Sequence, residues 1–558
     1  MADLAIPSIA ALTGVAAHAL YFHGTEHHFY GLTYLSTFLF TCIGSIVGLK
    51  GYYDLSITAA ISRTTLGATW FLAGLFASLA VYRLFLNPLN KFPGPTGVRL
   101  SSFAWSGRLT GSDAYLKLKA LHDKHGKVVR IGSHDLSIVD PEGMQISYGP
   151  QAKATKGPWY DGDAPLTSMH TSRSKALHDK RRRVWAPAFS DKALREYELQ
   201  IDKFNDKLVD RFREFQGQPV EVGKWFNLYS FDVMGKLAFG KDYHMLDNGV
   251  RHWALDLLSA GMEPMAIMPP TWFFRILATI PGLAAGYFRF VQFCVDETKA
   301  RIHADGKGEA SGDITGWILK AYKDVPQSKI ENDTFLHADV RLLIVAGSDT
   351  TAATLVALFY HLAQKPALVE SLREELRPVT QGQWTDKDIN HLPLLNGAIN
   401  EALRLHPPVP SGVQRKTPKE GMMIGETYIP GNVNFWMPQY VMGRGKFSGL
   451  CPQQTSADKF ADEAIYPSAE SFIPERWSSK PELIKHKDAF APFSMGPFGC
   501  IGKNMAYIEL RTLTARLLLE FNVAFAPGED GTRFLTQTKD HFTVDMGAVD
   551  LVFTPLKA

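Results

Sequence analysis

Apolar residues gather in three runs within the first ninety positions, Ile6 to Phe22, Gly31 to Leu49 and Leu66 to Leu86, and no Lys or Arg precedes Lys50. The second and third runs are long enough for a helix to span a hydrocarbon core. The first is shorter and carries His18, which leaves a signal peptide, an interfacial helix and a true span as open readings. Arg83, Lys91 and Arg99 flank the last run on its C-terminal side, so the positive-inside bias puts the remainder of the chain on the cytosolic face. Asn87 to Gly97, N-P-L-N-K-F-P-G-P-T-G, makes a stiff hinge of three prolines and two glycines. Two parts are expected: residues 1–90, an anchor of one to three spans with its hinge, and residues 91–558, a globular domain.

Within that domain the pattern becomes helical. Asp333 to Gln364 reads as one long helix, because Leu342 to Val345 and Leu355 to Phe359 continue the apolar face on both sides of the polar A-G-S-D-T-T at Ala346 to Thr351. Ala506, Leu510, Leu513, Leu517 and Phe521 recur at helical spacing after a glycine-rich loop. The stretch from Trp225 to Phe290 is apolar and rich in Met and Pro, which suits core packing, a membrane-facing surface or a mobile roof over a lipophilic cavity.

The 558 residues are 46% hydrophobic and 21% charged, a globular balance. Lys and Arg number 59 against 56 Asp and Glu, and a net charge of +3 argues against nucleic acid as the main partner. Cys42, Cys294, Cys451 and Cys500 are too few and too scattered for a disulfide framework, which fits a reducing compartment.

One of these cysteines stands apart. Cys500 lies in A-P-F-S-M-G-P-F-G-C-I-G, Ala491 to Gly502, just before a helix N-terminus, where the dipole and free N–H groups favour a thiolate. Gly496, Gly499 and Gly502 clear side chains from around it, as a backbone lying against something flat requires. A lone cysteine in such a loop is otherwise an ordinary buried thiol. Elsewhere, S-D-T-T inside a helix costs stability unless it serves a purpose. Glu401 and Arg404 stand three apart on one helical face, and His178 and Arg182 four apart within a K-R-R-R helix that could equally be a solvated basic face.

Phe493, Gly496, Cys500 and Gly502 form F-x-x-G-x-x-x-C-x-G, which resembles the haem-binding loop of the cytochrome P450 superfamily. The resemblance implies that Cys500 ligates the iron of haem b, with Phe493, Gly496 and Gly502 beside the cofactor. The family usually places Arg or His two residues before the cysteine, against a haem propionate; here that residue is Phe498. Propionate contacts are then assigned by resemblance to His178, Arg182 and Arg415, and Lys180, Arg181 and Arg183 partly to a reductase-docking face. A-G-S-D-T-T resembles the oxygen-activation motif, in which Gly347 brings backbone close to the iron while Asp349 and Thr350 pass protons to dioxygen. Glu401, Arg404 and Arg476 resemble the family's structural Glu-Arg-Arg network.

These motifs stand in the family's order over roughly 350 residues. They imply a mainly α fold with a small β-rich side, preceded by N-terminal transmembrane helices. They also imply monooxygenation of a lipophilic small molecule with O2 and NADPH, electrons coming from NADPH-cytochrome P450 reductase at the endoplasmic reticulum membrane. The loop wording and the triple apolar N-terminus resemble fungal secondary-metabolism enzymes acting on a terpenoid, alkaloid or polyketide. A haem-thiolate isomerase or dehydratase and a haem-binding sensor are the alternatives, and neither needs the Asp349 and Thr350 pair. Gly445 to Ala461 interrupts the expected continuation to D-E-A-I-Y-P and reads either as a surface loop or as a retained short intron.

Overall fold

The computed structural model describes residues 2–24, 26–307, 312–445 and 465–556. Apart from Gly445, the Gly445 to Ala461 segment, Cys451 included, lies outside the described residues. The chain forms two units: Met1–Arg108 with Arg130–Asp135 and Pro269–Ala284, and Leu109–Val129 with Leu136–Met268 and Ala285–Ala558.

The first unit is built on helices α1 (Ala2–Ala16), α2 (Gly31–Tyr53) and α3 (Ile57–Val81). α2 and the helical stretch Ile57–Leu86 are long and apolar enough to cross a membrane, whereas Ile6–Phe22 is apolar but shorter. Ser56 caps α3 by accepting from the Ala59 N–H at 3.3 Å. α1 and α3 touch backbone to backbone: a side-chain carbon at Gly14 would fall on the Phe71 carbonyl oxygen, and one at Gly74 on that of Ala11. Leu39, Phe40, Ile43 and Val47 of α2 are exposed. The Pro269–Ala284 segment adds the short helix Thr271–Ala278, whose Trp272 and Phe273 rings pack edge-on to Phe103 at 5.7 and 5.0 Å.

The Met- and Pro-rich stretch therefore has no single role. Its early part, in the helix Val222–Phe239, is core, with Phe226, Tyr229 and Phe231 fully buried. Its later part belongs to the unit of the N-terminal helices.

In the second unit the central helix Thr334–Ala363 runs unbroken through S-D-T-T. Asp333 caps it, accepting from the N–H groups of Phe335 and Leu336 at 2.9 and 3.1 Å. The hydroxyls of Ser348 and Thr350 donate back to the carbonyls of Ile344 and Ala346 at 2.7 and 2.8 Å, which satisfies them without opening the ladder. The bare Cα of Gly347 serves helix packing: a Cβ there would lie 2.5 Å from Met234 Sδ of the Val222–Phe239 helix. Ser230 on that same helix donates to the Ser348 carbonyl at 2.8 Å.

The β-structure is small. Arg415–Lys416 lies between Asn434–Trp436 and Thr155–Lys156 at one end of a five-stranded sheet. A three-stranded sheet joins Pro219–Glu221, Asp550–Pro555 and Phe521–Phe525, and Lys539–His541 pairs with Thr543–Asp545 in a hairpin.

Glu401, Arg404 and Arg476 form the buried network that the resemblance implies. Arg404 grips Glu401 with two bonds of 2.9 and 2.8 Å, and Arg476 Nε adds a third at 2.8 Å. Trp477 Nε1 and the Ile473 N–H donate to the same carboxylate at 3.0 Å each. The spare guanidinium N–H groups go to carbonyls, among them Gly443, Ala469 and Leu483. Removing the one acid would strand two buried cations, so Glu401→Ala should cost about 3–5 kcal/mol. Thermal unfolding of the purified protein reads this; a melting temperature within a degree or two of wild type would show that the network is dispensable.

Candidate active site

The loop before the last long helix is shaped by backbone geometry. Gly496 has φ +63°, and a Cβ there would strike the Tyr148 carbonyl oxygen, so only glycine closes the turn. The Cys500 N–H donates to the Phe493 carbonyl at 2.8 Å, and the Phe493 ring lies 5.2 Å from that of Tyr507. The helix Lys503–Glu520 then starts at Gly502, where a Cβ would stand 3.9 Å from Cys500 Sγ. Cys500 keeps exposed surface as a residue, although the surrounding protein takes water away from its thiol. The expected thiolate preference is reversed in the protein alone: burial of the group pushes the Cys500 thiol up, outweighing the N–H groups of Gly502 and Lys503 and the charge of Arg182. A metal cation bound to the sulfur would supply the missing stabilisation.

Around Phe498 the structure gathers cations. The His178 ring packs edge-on to Phe498 at 4.6 Å, Lys156 Nζ lies 4.8 Å above it and the Arg415 guanidinium 5.2 Å away. Arg182 donates to the Gly499 carbonyl at 2.7 Å, one residue before the cysteine. His178, Lys156 and Arg415 are buried. Burial lowers the His178 imidazole and holds Lys156 far below an ordinary amine, with the charges of Arg415 and Arg182 adding to the effect on Lys156. Such a group of cations fits a ligand that brings carboxylates, and haem brings two. The sequence reading found His178, Arg182 and Arg415 but missed Lys156, whose only signal was its position in a strand.

Arg181 departs from its expected place. It is buried and bonded to Asp339 of the central helix, with Trp185 Nε1 on the same oxygen at 3.1 Å, whereas Lys180 and Arg183 are exposed. Four consecutive residues point about 100° apart around a helix, so a K-R-R-R run cannot present all its charges to one face.

On the central helix, Ala346 is exposed between buried Ile344 and Ser348. Asp349 is held up at about 6, chiefly by burial and next by Asp545, against the charge of Arg251 and a hydrogen bond from Thr543. The hairpin Lys539–Asp545 therefore touches the acid of the expected relay. Phe542 at its tip holds φ +86°, a strained value for an aromatic residue, and its ring packs at a tilt against Trp159 at 4.6 Å. Further along the roof, Arg341 of the central helix is paired with Asp163, and Tyr287 donates to Asp163 at 2.5 Å. None of these contacts could be read locally, because each joins residues far apart in sequence.

The helical fold and the cysteine-bearing glycine loop together match one family of haem proteins. The chain belongs to the cytochrome P450 family, whose profile matches residues 95–449 and 451–545. It is 40% identical to cytochrome P450 monooxygenase lcsK of Purpureocillium lilacinum over 98% of this chain and 97% of that one. It is 38% identical to tryprostatin B 6-hydroxylase of Aspergillus fumigatus over 98% and 95%. A solved cytochrome P450DA heme domain, 19% identical, shares the fold with a TM-score of 0.66 over 84% of this chain and 97% of that one. The protein is a cytochrome P450 monooxygenase.

Glu509, on the helix after the loop, was not singled out by the sequence reading. It is 1% exposed, and neither carboxyl oxygen has a hydrogen-bond partner among the described residues. Burial pushes it up to about 8 from 4.5. Between those values the folded protein holds a proton that the unfolded chain has released, so stability falls as pH rises through this window. Glu509→Gln should flatten the decline in denaturation midpoint between pH 5.5 and 8; an unchanged slope would show that the carboxyl is not the group responsible.

Proposed function

We propose that this chain is a membrane-anchored monooxygenase that holds haem through Cys500 and hydroxylates a lipophilic small molecule of fungal secondary metabolism. The observation that carries the cofactor assignment is exposed Cys500 beside buried Lys156 and Arg415, neither of which has an ion pair among the described residues. When bound, haem supplies dioxygen activation, with NADPH as the electron source through a cytochrome P450 reductase.

The chain's own residues do the rest. Cys500 would hold the haem iron through its sulfur, with Phe493, Gly496 and Gly502 shaping its loop. His178, Arg182 and Arg415 hold the propionates. Asp349, whose carboxyl exchanges protons near working pH, and Thr350 one residue on form the proton relay. Exposed Lys180 and Arg183 offer the reductase a basic face. Gly14 and Gly74, which bring α1 and α3 into backbone contact, support a third span beside α2 and α3. The flanking Arg83 and Lys91 support a cytosolic catalytic domain at the endoplasmic reticulum, with the anchor ending near residue 90. The name tryprostatin B 6-hydroxylase states hydroxylation of an elaborate small molecule by a relative, which favours the same reaction type here.

Reductase-driven NADPH consumption with product formation tests the activity against a candidate panel of terpenoid, alkaloid and polyketide scaffolds; product formed without NADPH would favour an isomerase or dehydratase. Cys500→Ser should abolish the thiolate-haem band of the reduced carbon monoxide complex, and a surviving band would remove Cys500 as ligand. Asp349→Asn should slow turnover by about 100-fold, and Thr350→Ala should divert electrons to hydrogen peroxide while haem is retained. Wild-type coupling in both variants would exclude the relay. A chain beginning at Lys91 should still load haem yet partition partly to membranes, because Trp272, Ile280 and Leu283 are exposed; loss of haem on this truncation would move the boundary.

A further inference from the structure

We propose that Lys156 is a haem-propionate anchor, paired across two strands with Arg415, which takes over the charge that Phe498 removes from the cysteine loop. The proposal rests on the haem-thiolate reading above and adds a residue to it.

The argument begins with register. Lys156 and Arg415 are direct partners in adjacent antiparallel strands, so their side chains leave the sheet on one face. Like charges placed directly opposite repel, and here they are also buried, at 3% and 2% exposure. Two buried basic groups in register can both carry their charge only where a shared anion offsets them.

Among the described residues nothing supplies that anion: neither Lys156 nor Arg415 makes an ion pair there. Asp161 is bound to Arg173, and Asp179 is shared by Lys175, at 2.5 Å, and His178, at 3.0 Å. The other described titratable groups around Lys156 are Tyr160, His170, His178 and Arg182, none of which is a carboxylate.

Hydrogen-bond capacity points the same way. Lys156 Nζ donates to the carbonyls of Met169 and His170 at 3.1 and 2.5 Å, so an ammonium there has one N–H left. Arg415 Nη1 is bonded to Tyr160 Oη and to the Gln414 carbonyl, at 3.0 and 2.9 Å, while its buried Nε has no partner. Both residues flank the Phe498 ring, two positions before Cys500. A propionate beside that ring accepts from the spare Lys156 N–H and from Arg415 Nε, and its charge restores the lysine to its protonated form. Phe498 thus acts as a platform on which the two cations are stacked, in place of a donor.

The competing role is structural: Lys156 could simply tie the loop at Met169 and His170 to the strand. Haem dissociation from the full-length holoenzyme, followed by transfer to excess apomyoglobin, and the iron midpoint potential separate the two. Lys156→Met, which keeps the side-chain length, should lose haem about 10- to 100-fold faster and shift the potential, whereas Lys156→Arg should retain most of the wild-type behaviour. In the Lys156→Met background, Phe498→Arg returns a cation to the loop and should restore haem retention. Wild-type dissociation and potential in Lys156→Met would overturn the proposal. So would faster loss that Phe498→Arg does not relieve and Lys156→Arg shares, since that pattern belongs to a loop support. If wild-type protein itself lacked the thiolate-haem band, the failure would lie with the haem-thiolate reading.

Discussion

A charge buried in protein must meet its opposite, and this molecule shows the rule in a satisfied and an unsatisfied form. Glu401 lies fully buried, yet it accepts from two guanidinium groups, an indole and a backbone N–H, while both arginines spend their remaining donors on carbonyls. That knot is complete within the chain and behaves as a fixed frame. Lys156 and Arg415 are equally buried but meet no carboxylate among the described residues. The frame is closed within the chain, and the second site is left open to an anion from outside it.

The same contrast explains how much was legible beforehand. The apolar periodicities located the central helix and the helix after Cys500 to within a residue or two, because one strong face decides each of them. Glu401, Arg404 and Arg476 were legible as a set only through the family resemblance, since a lone E-x-x-R is an ordinary helical pair. Lys156 escaped because its meaning comes from Arg415, which the strand register places opposite it from far along the chain. Arg181 was misassigned for a related reason: sequence adjacency to other basic residues says nothing about which side of a helix faces Asp339. Met234 excludes a side chain at Gly347, a packing constraint that the motif alone did not reveal.

The site also brings together parts that the sequence presents as separate. Asp349 of the central helix meets Thr543 of the C-terminal hairpin, and the preceding residue, Phe542, holds a strained backbone while its ring packs at a tilt against Trp159. Arg341, two turns earlier on the same helix, binds Asp163, which also accepts from Tyr287 at the start of the helix Ala285–Gly306. The central helix is thereby tied at two levels to segments distant in sequence.

The meeting of α1 and α3 has a consequence for which changes the N-terminal region can absorb. Most of its apolar surface faces outward, as at Phe40 and Val47, where one hydrophobic side chain is as good as another. At Gly14 and Gly74 the facing carbonyl occupies the space of a first side-chain carbon, so even a methyl group must force the helices apart. Drift in this region is therefore unequal: nearly free over the outward surface, and held to a single hydrogen atom at two points sixty residues apart.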